Sequence, residues 1–271
     1  MMLLLTGCMT MDGFFFNGSA VDSYTLGHDV IPEENVEEVS FVSPDGNTLF
    51  GVWAHQDADA PVLVFSHGNF ANIDEYWDRV ELYWTWGYET FIYDYRGFGK
   101  SQGSATHDGV LADALGAADY VAETTGVPPE ETIYLGMSLG GFAAIHTALQ
   151  RPPKRLVTEC MFASADYLSD FSLGTDSPPG WFFKDPFDNV AAARDLHVPY
   201  LIIHGEADDF IDFSNGEEVY AAANEPKRFF PVPGANHSTI PETDPEGYEQ
   251  AIRCWTGTGT NCDATMVPAT P

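Results

Sequence analysis

The chain has 271 residues, which is long enough for one large α/β domain or two small ones. Its 41 acidic and 11 basic side chains give a formal net charge of −30, and a field of this sign repels phosphate backbones and excludes nucleic acid as an expected partner. The hydrophobic content of 44% excludes a disordered acidic chain, because enough apolar surface is available to build a core. No segment has the roughly 18–20 consecutive apolar residues of a membrane-spanning helix.

The first eight residues, MMLLLTGC, resemble the end of a bacterial lipoprotein signal, in which Cys8 would receive the lipid. The apolar run before Cys8 is shorter than the core of a complete signal, and no Lys or Arg precedes it. We expect an exported protein, either a periplasmic or cell-envelope lipoprotein anchored to the membrane through Cys8 or a soluble secreted protein. An ordinary chain terminus with a chance cysteine is the alternative. Residues 9–35 are predicted to form a tether or peripheral segment.

The body of the chain begins with two strand-like runs, 37–42 and 48–55, which flank the turn sequence SPDGN and predict an antiparallel hairpin. Short apolar runs then alternate with longer amphipathic runs, which is typical of parallel βαβ units. We predict an α/β domain over residues 36–255 with a mostly parallel sheet of about eight strands flanked by helices. The connection from 163 to 195 contains Pro, Phe and Trp and has room for only a short cap over the sheet. The further predicted strands are 62–66, 90–95, 132–136, 156–162, 200–204 and 228–232, and the predicted helices are 73–86, 106–123, 138–150 and 214–223.

The most specific local pattern is GMSLGG at residues 136–141, placed where an apolar strand meets an amphipathic helix. A serine in this context sits on a sharp turn that exposes its hydroxyl above the sheet, and small neighbours are needed because other backbone passes close by. The N-terminus of the following helix favours negative charge at the same place. The pattern therefore predicts Ser138 as a catalytic nucleophile.

A serine hydroxyl needs a general base, and the base needs a partner that fixes its tautomer. Where a nucleophile sits on this kind of turn, the chain order is nucleophile, acid, histidine. Of the four histidines after Ser138, three lie inside a helix or at strand ends, and only His237 lies in a loop after the last predicted strand. We therefore predict His237 as the base. The other three are His146, His197 and His204.

The acid should follow the end of a strand between the nucleophile and the histidine. The sequence after strand 200–204 offers Asp208, with Asp209 and Glu206 as competitors that position alone does not eliminate.

Two backbone N–H groups are expected to stabilise the oxyanion of an acyl-transfer reaction. One is that of Leu139, directly after the nucleophile, and the other is that of Asn69 in the loop after strand 62–66. His67 in the same loop is expected to support the loop rather than to transfer protons.

Five sequence blocks carry a resemblance to a known family: SHGN at 66–69, DYRGFGKS at 94–101, GMSLGG at 136–141, HGEAD at 204–208 and PGANH at 233–237. They resemble those of α/β-hydrolases, in particular the short-capped serine hydrolases related to serine aminopeptidases and to eukaryotic α/β-hydrolase-domain proteins. The likeness extends over roughly residues 36–254, and it implies the α/β-hydrolase fold and Asp208 as the acid. In the second block, Arg96 is expected to pair with buried carboxylates. The departures from the family are the lipoprotein-like start, the C-terminal cysteines and the high acidity.

Cys254 and Cys262 flank a polar Gly/Thr stretch that is flexible enough to close a small disulfide loop, and a disulfide would suit an exported protein. Cys160 lies in an apolar run and is expected to be a buried, inert thiol. No spacing of Cys and His indicates zinc, and we expect neither a metal nor a cofactor. Residues 256–271, rich in Thr, Gly, Pro and Ala, are expected to form a flexible tail.

These patterns predict a serine hydrolase that cleaves carboxylic esters through an acyl-enzyme intermediate. A serine at the turn is informative, because dehalogenases and epoxide hydrolases of this fold carry Asp there. A peptidase or a thioesterase with the same three residues is an alternative, and a non-catalytic, lipid-anchored binding module is another. The net charge favours a neutral or apolar ester as substrate. The candidate walls of its acyl pocket are Phe70, Met137, Trp181 and Phe182.

Overall fold

A computed structural model describes residues 15–27, 30–164 and 187–262 of the chain. Cys8, Trp181 and Phe182 lie outside these ranges, as does most of the segment 163–195 in which a short cap was predicted. Within them, no helix combines the length and the apolar character needed to cross a bilayer.

The described residues contain one eight-stranded sheet, which confirms the predicted fold class. Its first two strands form the predicted antiparallel hairpin, the second strand pairs antiparallel with the fourth, and all other pairings are parallel. The spatial order is β1-β2-β4-β3-β5-β6-β7-β8. The strands are β1 (Val36–Val42), β2 (Thr48–Ala54), β3 (Val62–Ser66), β4 (Glu89–Tyr93), β5 (Ile133–Met137), β6 (Arg155–Glu159), β7 (Tyr200–Gly205) and β8 (Lys227–Val232).

Helices connect the parallel strands and cover both faces of the sheet. The helix before β7 and the two helices near the end of the described chain were not predicted from the sequence. The α-helices are α1 (Trp77–Thr85), α2 (His107–Thr125), α3 (Leu139–Gln150), α4 (Asn189–Asp195), α5 (Ser214–Ala222), α6 (Ile240–Thr243) and α7 (Pro245–Thr256). Single 3₁₀ turns are formed by Glu33–Asn35, Ile73–Tyr76 and Pro129–Glu131.

The core consists of two apolar layers, one on each face of the sheet, because successive side chains of a strand point to opposite faces. On β3, Val64 packs with residues of α2 and α3 such as Phe142, whereas Leu63 packs with residues of α1 and α7 such as Tyr83. Burial on both faces explains why the central strands are nearly continuous apolar runs.

The predicted pairing of Arg96 with buried carboxylates is confirmed. Its guanidinium contacts the buried Asp113 at 2.7 Å and also the half-exposed Asp45 at 2.7 Å. Asp113 lies on α2 and Asp45 in the turn of the β1–β2 hairpin, so Arg96 ties both to the loop that follows β4.

A disulfide joins Cys254 and Cys262, and Cys160 is free and buried. The hydroxyl of Thr258, between the bonded cysteines, lies 2.8 Å from that of Tyr88. The described part of the predicted tail is therefore tied to the body of the protein.

Candidate active site

Ser138 occupies the turn between β5 and α3 with φ +55° and ψ −116°, a conformation that a residue with a Cβ rarely adopts. Glycine is required on both sides of it. A Cβ on Gly136 would collide with the carbonyl oxygen of Gly140, and a Cβ on Gly140 would collide with that of Ser66. The N–H of Ser138 donates to the carbonyl of Glu159 over 2.8 Å, which fixes the turn to the neighbouring strand. The sharp turn predicted from the glycine pattern is therefore present.

The helix that follows Ser138 starts at Leu139, so the N–H of Leu139 has no acceptor within the helix. The partial positive charge of the helix N-terminus lies next to the serine. This is the position from which a backbone N–H could stabilise an oxyanion formed at Ser138.

His237 lies in the loop after β8, and its Nδ1 is 2.8 Å from Oδ2 of Asp208 in the loop after β7. Asp208 is buried, and its Oδ1 accepts hydrogen bonds from the backbone N–H groups of Phe210 and Ile211 over 3.0 and 2.8 Å. Burial alone would raise the pKa of Asp208, but the hydrogen bonds from His204 and His237 outweigh burial and hold this pKa well below its usual range. Asp208 is therefore ionised at neutral pH and its Oδ2 faces His237.

An open cavity of about 890 Å³ brings the predicted nucleophile and base together, because both Ser138 and His237 line it. Asn69, Phe70 and Met137, which were predicted as oxyanion donor and pocket walls, line the same cavity. Ser138 itself is only 6% exposed and thus lies at the bottom of the cavity. Of the two competitors for the role of the acid, Glu206 is exposed, and the exposed Asp209 lines the cavity.

His67 lies in the loop after β3, fully buried, with Nε2 3.1 Å from Asp94 Oδ1 and Nδ1 2.8 Å from the carbonyl of Gly68. Asp94 Oδ1 also accepts from the N–H of Ile73, which ends this loop. His67 is thus placed where it supports the backbone of the loop that carries Asn69.

A buried ion pair that the sequence did not indicate connects the loops of Ser138 and His237. The guanidinium of Arg79, on α1 and in the cavity wall, lies 3.1 Å from Glu159 Oε1, at the end of β6. It also donates to the carbonyl of Ser238 over 3.1 Å, directly after His237. Because the carbonyl of Glu159 accepts from the N–H of Ser138, this pair holds both loops at a fixed separation.

Removing one partner of this pair is expected to destabilise the protein strongly. In Glu159→Gln, the guanidinium of Arg79 stays buried without a counter-charge, and we expect the free energy of unfolding in urea to fall by about 3–5 kcal/mol. The matched control is Glu249→Gln, which breaks the more exposed pair of Glu249 with Arg253 on α7 and should cost at most about 0.5 kcal/mol. Equal losses in the two variants would contradict the interpretation.

Two further residues lie against Asp208, the predicted acid, and no sequence pattern had linked either of them to it. His204 Nε2 lies 2.9 Å from the carbonyl of Ile211, so it carries a proton, and it lies 3.4 Å from Asp208 Oδ2. Cys160, with φ +47°, places its Sγ within 4.8 Å of a carboxylate oxygen of Asp208. The HGEAD block was the signal that could have pointed to His204, since it places this histidine four residues before the acid.

Cys160, Asp208 and His237 each offer a donor atom, and these atoms lie within 4.8 Å of one another. A thiolate, an imidazole and a carboxylate are ligands that Zn²⁺ accepts. Burial raises the pKa of the Cys160 thiol well above its usual value, so without a metal ion the thiol keeps its proton.

Comparison with known proteins places the chain in a family. The sequence profile of a family described as alpha/beta hydrolase fold matches residues 61–191. The uncharacterized protein YfhR of Salmonella typhimurium (strain LT2) is 30% identical over 218 residues, which cover 74% of each chain. The human alpha/beta hydrolase domain-containing protein 17B is 27% identical over 179 residues, covering 66% of this chain and 60% of the relative.

Among solved structures, the esterase Pf2001 of Pyrococcus furiosus superposes with a TM-score of 0.71 over 88% of this chain and 95% of that chain, at 18% sequence identity. An identity this low establishes the shared fold and nothing finer. The family profile, the relatives and the shared fold together show that the chain belongs to the α/β-hydrolase superfamily.

Proposed function

We propose that the protein is a serine hydrolase that cleaves carboxylic esters, with Ser138 as nucleophile, His237 as general base and Asp208 as the acid that orients it. One observation carries the proposal. A single cavity is lined both by a serine on a strained turn and by His237, whose Nδ1 is 2.8 Å from an ionised, buried carboxylate. The name esterase borne by a solved structure of the same fold supports ester hydrolysis on this scaffold.

The first half of the reaction forms an acyl-enzyme. Asp208 accepts the hydrogen bond of Nδ1–H, which leaves Nε2 of His237 unprotonated and able to accept a proton. As Ser138 Oγ attacks the acyl carbon, its proton passes to Nε2, and the imidazolium that forms is stabilised by the negative charge of Asp208. The same Nε2–H then protonates the leaving alcohol as the ester C–O bond breaks. Water repeats the sequence in the second half and releases the carboxylic acid.

The oxyanion that forms in each half needs hydrogen-bond donors that are already in place, because donors that must reorganise contribute less. The N–H of Leu139 at the start of α3 is one proposed donor. The N–H of Asn69, in the loop supported by His67, is the other.

The cavity wall favours a substrate without negative charge. Phe70 and Phe210 are exposed aromatic side chains on the wall, and the ring of Phe210 lies 4.9 Å from that of His237. Four carboxylates line the same cavity and would repel an anionic ester. We therefore propose a neutral ester with an apolar acyl group. The four carboxylates belong to Glu75, Asp78, Asp209 and Glu242.

Labelling with a fluorophosphonate probe tests the proposal, because the probe phosphonylates a serine only where a base and an oxyanion site activate it. We expect one label per chain and loss of p-nitrophenyl ester hydrolysis in proportion to labelling. Ser138→Ala should take no label, whereas Ser238→Ala, which removes another hydroxyl of the cavity wall, should be labelled like the wild type. A label that persists in Ser138→Ala would refute the assignment of the nucleophile.

The same acyl group offered as ester, thioester and amino-acid amide then decides the class of substrate. The proposal requires the largest kcat/KM for the ester. A larger value for the amide would identify a peptidase, and a larger value for the thioester would identify a thioesterase.

A further inference from the structure

Residues 15–20, called the N-terminal arm below, lie along the loop that carries the proposed oxyanion donor. Phe15 and Asn17 of the arm line the catalytic cavity together with Ser138 and His237. Nothing in the sequence of the arm indicated this position, which is more than 50 residues away along the chain from the loop it contacts.

The arm holds the side chain of Asn69 at both ends. The N–H of Asn17 donates to Asn69 Oδ1 over 2.9 Å, and Asn69 Nδ2 donates to the carbonyl of Phe15 over 2.6 Å. The amide side chain of Asn69 is thus committed to the arm, while its backbone N–H remains the proposed donor to the oxyanion. Any shift of the arm is transmitted to this residue.

The arm also holds the backbone of the same loop in a conformation that is unfavourable by itself. Ala71 has φ +49°, in the left-handed region that residues with a Cβ avoid. Its N–H donates to the carbonyl of Asn17 over 3.0 Å, and its carbonyl accepts from the N–H of Ser19 over 2.8 Å. Such a conformation persists only where the surroundings determine it, and here the arm satisfies both polar groups of the strained residue.

The other side of the arm is fixed to the loop after β4. Ser19 accepts from the N–H of Gly99 over 3.0 Å, and Val21 donates to the carbonyl of Gly99 over the same distance. Beyond the arm, the hydroxyl of Tyr24 donates to Asp94 Oδ2 over 2.6 Å. Since Asp94 Oδ1 holds His67, the segment that carries the arm and the support of the oxyanion loop share one carboxylate.

We propose that the N-terminal arm is a positioning element of the catalytic site, which sets the oxyanion loop through Asn69 and Ala71 and completes the cavity wall with Phe15. The inference rests on the proposed function. It assigns to the arm a contribution to kcat, and not merely to the stability of the fold.

Two glycines of the same segment offer a matched test. A Cβ on Gly18 would lie 2.7 Å from the ring of Phe98 and 2.9 Å from the carbonyl oxygen of Gly97, so Gly18→Ala must displace the arm. A Cβ on Gly27 would meet its nearest neighbour, the ring of Trp77, at an ordinary 3.8 Å. Displacement of a catalytic group by about 1 Å can cost 10²-fold in rate, and we expect Gly18→Ala to lower kcat by about tenfold or more and Gly27→Ala to stay within twofold.

The rates are expressed per active site, counted by titration with the fluorophosphonate, so that unfolded or inactive protein does not contribute. A purely structural role of the arm would lower the melting temperature and the number of titrated sites but leave kcat per site unchanged. The proposal requires that kcat per site falls for a p-nitrophenyl ester.

Asn69→Ala provides a second variant if Gly18→Ala does not fold. It removes both side-chain hydrogen bonds to the arm but keeps the backbone N–H, and we expect a similar loss of kcat. Because both changes act on one contact, the double variant should lose little more than the more impaired single variant. Unchanged kcat per site in Asn69→Ala would overturn the proposal. If Ser138→Ala lost less than 100-fold in kcat for the same ester, the proposed function itself would be overturned.

Discussion

Replacing Ser138 with alanine is expected to lower kcat for a p-nitrophenyl ester by about 10⁵–10⁶-fold, the loss found when the nucleophile of such a triad is removed. KM should change little, since the hydroxyl acts on the acyl carbon only as the bond forms. A residual rate above that in water should survive, because the N–H groups of Leu139 and Asn69 still stabilise an oxyanion formed by attack of water.

The fold of this variant should be intact, so a lower kcat than that of the wild type can be attributed to the missing hydroxyl. Alanine and serine have the same unfavourable backbone conformational energy at φ +55°, so the melting temperature should match that of the wild type. A folded Ser138→Ala protein that loses less than 100-fold in kcat would show that the ester is cleaved without a serine nucleophile.

The turn at Ser138 was predictable because the residues that mark it lie close together in the sequence. The strand before it, the helix after it and the glycines at 136 and 140 lie within a few residues of one another, and the steric need for these glycines follows from the backbone that surrounds the turn. The same holds for the alternation of strands and helices, which identified the parallel sheet.

Contacts between distant segments were not predictable in this way. Arg79 and Glu159 are 80 residues apart, and Phe15 and Asn69 are 54 apart. The sequence does not distinguish the one acidic residue among 41 that pairs with Arg79 from the others. It also does not show which backbone carbonyl will accept a hydrogen bond from a distant side chain. Only the topology of the sheet brings these groups to the edge where the parallel strands end.

Helix α7 was missed although its pattern is visible. Tyr248, Ala251, Ile252 and Trp255 have the spacing of one helical face, and all four are buried against the sheet. Asp244 before the helix accepts from the N–H of Gly247, which is an N-cap signal.

Asp208→Asn is expected to lower kcat by about 10⁴-fold, and the hydrogen bonds around Asp208 explain why the isosteric amide cannot substitute for the acid. Oδ1 accepts from two backbone N–H groups, those of Phe210 and Ile211. The oxygen of the asparagine must therefore take the place of Oδ1, and its NH₂ group must take the place of Oδ2.

The NH₂ group then faces Nδ1 of His237, 2.8 Å from the position of Oδ2 in the wild type. It can only donate, so Nδ1 must become the acceptor and the proton of the imidazole moves to Nε2. A protonated Nε2 cannot accept the proton of Ser138, and the negative charge that stabilised the imidazolium is lost as well. His204 cannot compensate, because its Nε2–H, 3.4 Å from Oδ2 in the wild type, is also a donor and finds no acceptor on the NH₂ group.

The measurement is kcat and KM for one p-nitrophenyl ester in Asp208→Asn and in Glu206→Gln, which neutralises a nearby exposed carboxylate. The first should lose about 10⁴-fold in kcat with KM nearly unchanged, and the second should stay within twofold. If Asp208→Asn lost less than tenfold while Asp209→Asn lost more, the acid would be Asp209. In that case the buried position of Asp208 and the four groups that donate hydrogen bonds to it would serve the fold alone, and the carboxylate of Asp209 on the cavity wall would orient His237.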